Sequence, residues 1–255
     1  MGNQTPTSVT SSVRVDGVRR ITELGVKIFA DGADKVGMME MAGNPFVQGL
    51  TTNPTLMRKA GVTEYKAFAL DVLEAIRDKP ISFEVFSDDF AEMERQAEEI
   101  ASWGPNVYVK IPVTNTRRQP AYELIERLAA KGIKLNVTAL MTVSQVEAVV
   151  EKLHHDVPSY VSVFAGRVAD TGRDPVPIMS EAVQIVNTKP NAELIWASPR
   201  ELLNIFQADE IGCHVITVTN AVLAKLKLVG KDLGDYSLET VKMFYDDAKS
   251  AGFSL

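Results

Sequence analysis

The sequence contains one cysteine, Cys213, so an intrachain disulfide is impossible and a reducing cytoplasm fits better than a secreted setting. Its flanks, Ile211 to Val215, mark it as an ordinary buried thiol. Positive charge is not in excess. With 27 Lys and Arg against 33 Asp and Glu, no global field gathers nucleic acid or an anionic membrane. Any anionic ligand must therefore be held by local cations. Residues 1–13 are rich in Ser and Thr but have no apolar core, which argues against a signal peptide or membrane anchor and predicts a flexible tail. Histidine is scarce: His154 and His155 are adjacent at a predicted helix end and His214 is remote, so no dense His/Asp/Glu pattern suggests a metal site. No Gly/Ser-rich or charge-rich linker and no Gly-rich dinucleotide fingerprint interrupts the rest, so one domain is expected over residues 14–255.

What is present is an alternation. The chain has 255 residues, 45% of them hydrophobic, enough for one full-sized α/β core. Short β-rich runs occupy Val26–Ala30, Phe46–Leu50, Ile81–Phe86, Val107–Ile111, Lys134–Ala139, Tyr160–Phe164, Glu193–Ala197 and His214–Val218. Helical periodicity fills segments between them, at Glu64–Arg77, Phe90–Trp103, Ala121–Ala130, Val143–His154 and Pro199–Phe206, and a last helix is expected at Leu238–Ser250. Repeated strand-then-helix units imply a parallel sheet. Eight of them in a chain of this length predict a closed (β/α)8 TIM barrel in the α/β class.

The strands carry different chemistry on their two faces. Val107, Val109 and Ile111 are apolar, whereas Tyr108 and Lys110 share the opposite parity. Ser82 and Glu84 oppose Phe83 and Val85; Asn136 and Thr138 oppose Val137 and Ala139; Ser162 and Phe164 oppose Val161 and Val163. In a parallel barrel one parity packs under the helices and the other faces the axis, so a polar set lines the interior at the C-terminal end, where barrel enzymes keep their sites. Glu84, Lys110, Asn136 and Ser162 recur every 26 residues, which predicts comparable positions at one level of four consecutive strands.

Lys110 is the most informative member. Ordinary lysine titrates near pH ~10.4, so a nucleophilic amine needs burial or nearby positive charge. A lone strand lysine is simply explained as a folding ion pair with Glu84; polar neighbours on adjacent strands favour a reactive amine. Asp31 has the parity of Phe29 and enters the same cavity, although an Asp before Gly also suits a turn. Thr51-Thr52-Asn53-Pro54 can cap the following helix and face the cavity too. Asn136 and Thr138 suit sugar hydroxyls. For an anion the candidates are Arg167 and the Ser198-Pro199-Arg200 segment on neighbouring late loops, where barrels often bind phosphate. Arg117 and Arg118 look like a solvated loop pair.

Taken in order, Ala30-Asp31, Thr51-Thr52-Asn53-Pro54, Ser82-Phe83-Glu84-Val85, Val109-Lys110-Ile111-Pro112, Asn136-Val137-Thr138, Ser162-Val163-Phe164-Ala165-Gly166-Arg167 and Ala197-Ser198-Pro199-Arg200 resemble the transaldolases and their smaller aldolase relatives, over roughly Val26 to Val218. A lysine on the fourth strand matches that family, whereas many other Schiff-base aldolase barrels carry it on the sixth. The resemblance implies a class I mechanism on sugar phosphates: Lys110 forms the Schiff base, Asp31 takes the C4 hydroxyl proton, and Glu84 with Thr138 holds a water for proton transfers. Thr51, Asn53, Asn136 and Ser162 would orient the dihydroxyacetone part, Phe164 would line the site, and Arg167, Ser198 and Arg200 would bind phosphate. It implies no metal or organic cofactor and a setting in cytoplasmic carbohydrate metabolism, in the pentose phosphate pathway. We expect a homo-oligomer with no nucleic-acid or membrane partner. The compact branch also contains fructose 6-phosphate aldolases that release dihydroxyacetone; Glu84 and Phe164 favour transaldolase, since those relatives carry Gln and Tyr there. A catalytically silent sugar-phosphate-binding barrel is the other alternative.

Overall fold

A computed structural model describes residues 19–255, so the expected tail at residues 1–13 and the start of the expected domain at residue 14 lie outside the described residues. The described chain divides into two compact units, residues 25–224 and residues 19–24 with 225–255.

In the larger unit eight parallel strands close into a barrel in sequence order. They are β1 (Lys27–Asp31), β2 (Val47–Thr51), β3 (Ile81–Glu84), β4 (Val107–Pro112), β5 (Leu135–Leu140), β6 (Ser159–Val163), β7 (Ala192–Trp196) and β8 (Val215–Thr219). Every strand falls on its expected run, shifted by a residue or two at the ends. The helices of this unit are α1 (Lys35–Gly43), α2 (Pro54–Lys59), α3 (Tyr65–Ala75), α4 (Phe90–Ala101), α5 (Tyr122–Ala130), α6 (Val143–Lys152), α7 (Ala165–Ala169), α8 (Val176–Val186), α9 (Leu203–Glu210) and α10 (Asn220–Leu223).

Among the α-helices that the pattern exposes, α4 and α6 are both amphipathic and capped. In α4, Met93, Gln96, Ala97 and Ile100 form one buried stripe, and the Asp89 carboxylate accepts the Glu92 N–H at 3.0 Å. In α6 the Thr142 hydroxyl and the Gln145 side chain cap each other's backbone, and Val146, Val149 and Val150 face the sheet. The core lies between these stripes and the outward parity of the strands: Val107, Val109 and Ile111 on β4 are buried, as are Leu124, Ile125 and Leu128 on α5. Elements without a clean stripe, such as α1 with its two glycines and five-residue α7, have no legible signal. The helix expected at Pro199–Phe206 starts at Leu203 instead. The Asn204 amide oxygen accepts the N–H groups of Arg200 and Glu201 at 2.8 and 3.1 Å, which holds those residues in a turn ahead of α9.

Inside the barrel the lower layer is aromatic and closed. Phe29, Tyr160, Ile195, Ala197 and Val215 pack together with Tyr108 and Phe164 against them. Phe29 meets Tyr160 edge to face at 5.5 Å between ring centroids. A Cβ at Gly49 would lie 2.5 Å from the Phe29 ring, so β2 needs glycine there for the ring to fill the axis. This floor shuts the barrel below, and polar groups gather above it.

In the smaller unit, α11 (Leu233–Ser250) begins five residues before the expected Leu238, because the Asp232 carboxylate caps it by accepting the Asp235 N–H at 2.9 Å. No helix among the described residues is long and apolar enough to cross a membrane.

Candidate active site

The C-terminal ends of the strands surround a cavity of about 570 Å³. Its walls include Asp31, Thr51, Asn53, Glu84, Lys110, Asn136, Thr138, Ser162, Phe164, Arg167, Ser198 and Arg200, so every candidate named from the sequence meets in one place. The parity rule delivers the strand-borne members: β4 turns Lys110 inward between Glu84 and Asn136, its register partners on β3 and β5.

The expected level ring holds for three of its four members. Asn136 pairs with Tyr160 on β6, and Ser162 stands one inward position higher, because barrel strands are staggered; beyond this pair β5 bulges between Val137 and Leu140. Ala139, in the bulge, has a left-handed φ of 66°. Ser162 still reaches down to donate to the Asn136 amide oxygen at 2.7 Å.

Lys110 is only 6% exposed. Its Nζ donates to the Thr52 carbonyl at 2.9 Å and lies 3.2 Å from Glu84 Oε2. A cation this deep is tolerable only with such partners. Glu84 is itself pinned, since the Tyr65 hydroxyl donates to its carbonyl at 2.8 Å and accepts its N–H at 2.9 Å. Tyr65 rests in an aromatic cluster with Phe83, Phe86 and Trp103. Burial pushes the Tyr65 phenol up, so it stays a neutral, two-way hydrogen-bonding group.

Asp31 stands at the end of β1 and lines the same cavity. Burial pushes its pKa above the ordinary aspartate value, while the positive charge of Lys110 and hydrogen bonds from Thr51 and Asn53 pull the other way. The Thr51 hydroxyl donates to Oδ1 at 2.9 Å and the Asn53 amide nitrogen to Oδ2 at 3.4 Å. Asn53 serves two ends at once, because its amide oxygen also caps α2 by accepting the Leu56 N–H at 2.9 Å, with Pro54 as the first helical residue. Asn136 is fully buried and donates to the Ser82 hydroxyl at 2.9 Å. Thr138 differs from all of these: among the described residues its buried Oγ1 has no hydrogen-bond partner. A buried hydroxyl on a cavity wall without a partner suits a water or a substrate oxygen.

The other rim is built from the short α7 and the loop after β7. Arg200 donates through Nε to Asp170 Oδ1 at 2.8 Å, pairs through Nη2 with Asp170 Oδ2, and reaches the Ser198 hydroxyl through Nη1 at 3.0 Å. The clamp takes one edge of the guanidinium and leaves donors on the Nη edge for an anion. Asp170 is held well below the usual aspartate range by its hydrogen bonds from Arg200. Arg167 stacks over the Phe164 ring with Cζ 5.6 Å from the centroid. The short α7 and the loop after β7 touch at backbone level: a Cβ on Gly166 would lie 1.6 Å from the Ser198 carbonyl oxygen, and Ser198 itself has φ 60°.

Sequence reasoning passed over Thr217, Thr219 and Lys59, which also line the cavity, and Tyr65 and Asp170, which brace it from behind. The parity of β8 could have flagged Thr217 and Thr219; the bracing residues lie in other elements and carry no local signal. Arg117 and Arg118 are not among the cavity residues. Arg117 pairs with Asp88 at 3.1 Å. The histidines are elsewhere as well. His154 and His155 follow the end of α6 in an exposed turn with Asp156, and His214 Nδ1 accepts the Leu194 N–H at 3.1 Å at the start of β8. Cys213 is buried, and burial pushes its thiol up to about 12, as an inert thiol requires.

A closed eight-stranded α/β barrel whose C-terminal mouth holds a buried lysine beside two carboxylates, with arginines on the late loops, is an enzyme-type barrel. The description "Transaldolase/Fructose-6-phosphate aldolase" matches residues 28–255. The chain is 34% identical over 202 residues to a probable transaldolase of Dehalococcoides mccartyi, covering 79% of this chain and 90% of that one. A probable transaldolase of Thermoanaerobacter sp. is 32% identical over 231 residues, covering 90% and 100% of the two chains. Probable transaldolase 2 of Listeria monocytogenes is 33% identical over 204 residues, with 79% and 88% covered. The chain belongs to the transaldolase/fructose-6-phosphate aldolase family.

Proposed function

We propose that this protein is a transaldolase, which moves a dihydroxyacetone unit from a ketose phosphate such as fructose 6-phosphate or sedoheptulose 7-phosphate to an aldose phosphate through a Schiff base on Lys110. The observation that carries this is the buried Lys110 amine, facing one cavity with Glu84 at 3.2 Å and Asp31 lining the same space. An ammonium has no lone pair, so a proton must leave before attack, and the Glu84 carboxylate is placed to accept it. Nζ then adds to the ketose C2 carbonyl, and loss of water leaves an iminium. Asp31 removes the C4 hydroxyl proton as the C3–C4 bond breaks, and its electrons flow to the iminium nitrogen to give an enamine. The aldose phosphate departs. A second aldose phosphate is attacked by the enamine through its aldehyde carbon, Asp31 returns the proton, and water hydrolyses the new iminium to free the ketose phosphate.

The remaining groups have roles consistent with their placement. The unpartnered Thr138 hydroxyl, with Glu84, holds the water used in forming and hydrolysing the Schiff base. Thr51, Asn53, Asn136 and Ser162 orient the hydroxyls of the dihydroxyacetone part beside Phe164. Arg167, Ser198 and Arg200 bind the phosphate. Glu84 and Phe164 favour transfer over release, because an ionised carboxylate holding the water disfavours early protonation of the enamine. The test is product analysis with fructose 6-phosphate, with and without erythrose 4-phosphate. Sedoheptulose 7-phosphate as the main product in the presence of acceptor supports the assignment; free dihydroxyacetone as the main product under the same conditions makes the protein an aldolase instead.

A further inference from the structure

We infer that Thr217 is a positioning residue for Asp31: it donates a hydrogen bond to Thr51 and so fixes the Thr51 hydroxyl as a donor to the Asp31 carboxylate. The inference deepens the role given to Asp31 above and rests on it. β1 lies between β2 and β8, with Asp31 paired to Thr51 on one side and to Thr219 on the other, and Phe29 paired to Thr217. Thr51 and Thr217 therefore approach each other from the two strands that flank β1. Their hydroxyl oxygens are 2.6 Å apart, and both residues are buried.

The direction of the chain follows from counting protons. An ionised carboxylate can only accept, so the Thr51 hydroxyl spends its single proton on Asp31 Oδ1 at 2.9 Å. The 2.6 Å contact can then be a hydrogen bond only if Thr217 donates. Donation into Thr51 polarises its hydroxyl and strengthens the bond to the carboxylate. It also selects one rotor of Thr51, and with it one orientation of Asp31. Once Asp31 has taken a proton, this order is no longer imposed. Thr217 thus favours the basic form specifically, offsetting part of the burial that disfavours it.

Other charges act on Asp31 as well. Lys110 faces it from β4, and Glu84 on β3, Lys59 on α2 and Arg167 and Arg200 on the late loops share the cavity. Asp34, the cap of α1, shares the adjoining groove. β8 brings hydroxyls and no ionisable group to these two spaces. A change at Thr217 consequently alters hydrogen bonding without altering local charge.

The test is the pH dependence of kcat/KM for fructose 6-phosphate, with erythrose 4-phosphate as acceptor, in wild type, Thr217→Val, Thr217→Ala and Thr217→Ser. Thr217→Val should move the acid limb to higher pH by roughly 0.3–0.5 unit and lower the plateau about three- to tenfold. Thr217→Ala, which removes the hydroxyl without the bulk of an isostere, should move the limb the same way. Thr217→Ser, which keeps the donor, should restore the wild-type limb. A folded Val or Ala variant whose limb stays in place overturns the inference, as does a Ser variant displaced as far as Val. Borohydride treatment of the wild type with fructose 6-phosphate separates the two levels of failure: no trapped adduct removes the Schiff-base account and this inference with it, whereas a trapped adduct with an unmoved limb removes this inference alone.

Discussion

The two sides of the cavity are built in different ways. On the side of Asp31, Thr51, Glu84 and Lys110, the working groups stand on β1 to β4, their backbones tied into ladders and their side chains sunk on the floor of Phe29, Tyr108 and Tyr160. On the side of Arg167, Ser198 and Arg200, the groups sit on the short α7 and on the loop after β7, and are held by a left-handed Ser198, by the close approach of Gly166 and by an exposed ion pair with Asp170. A proton-transfer site needs dry, fixed geometry, which strands supply. A phosphate keeps part of its hydration and needs donors at a distance from the chemistry, which loops at the rim supply. Substitutions on the two sides should therefore fail in different ways.

The largest effect belongs to the strand side. Asp31→Asn should lower turnover about a hundred- to ten-thousandfold for phosphorylated and unphosphorylated donors alike, because the proton acceptor serves every substrate. Steady-state rates with fructose 6-phosphate and with fructose check this; a loss confined to the phosphorylated donor would erase the contrast between the sides. The same variant should be more stable than wild type at neutral pH. A carboxyl whose folded pKa is raised binds its proton more tightly in the folded state, so its contribution is present below the unfolded pKa and lost as pH rises through the folded one. Ionised Asp31 is consequently a cost at neutral pH, which Asn removes. The Tm difference between variant and wild type should shrink as pH falls toward the ordinary aspartate range; a variant less stable than wild type at neutral pH counts against the burial account.

Arg200→Ala comes next, with kcat/KM for phosphorylated substrates falling about ten- to a hundredfold and unphosphorylated aldehydes nearly unaffected. Equal losses in both classes would deny Arg200 a phosphate role. Gly166→Ala is the subtlest, since it changes no functional group. Its methyl must displace the Ser198 carbonyl, which costs about 1–3 kcal/mol in stability, and the shift should raise KM for phosphorylated substrates while leaving kcat close to wild type. A lowered kcat at unchanged KM would tie this loop to the chemistry instead.

The contrast also explains what was legible in the sequence. Strand side chains obey a period of two, so the alternation around Lys110, Glu84, Asn136 and Ser162 placed them inside the barrel, and hydrophobic runs located all eight strands. The level of Ser162 was misjudged because equal spacing in sequence ignores barrel stagger. Arg167, Ser198 and Arg200 were legible by residue type and loop position alone. What fixes them was hidden: a positive φ at a serine, a backbone N–H of Arg200 donated to Asn204, and a partner at Asp170 thirty residues before Arg200. Such constraints arise from tertiary approach and have no local pattern. Thr217 belongs with the strand residues by geometry, but a threonine in an apolar β8 is also an ordinary strand former, so its hydroxyl did not stand out.

The most direct test of the central claim is reductive trapping followed by peptide mapping. Incubation with fructose 6-phosphate and borohydride should leave a dihydroxyacetone-derived adduct on the peptide that contains Lys110, with no adduct in folded Lys110→Met. Label on Lys131 or Lys134, no label in active wild type, or retained turnover in Lys110→Met would contradict it.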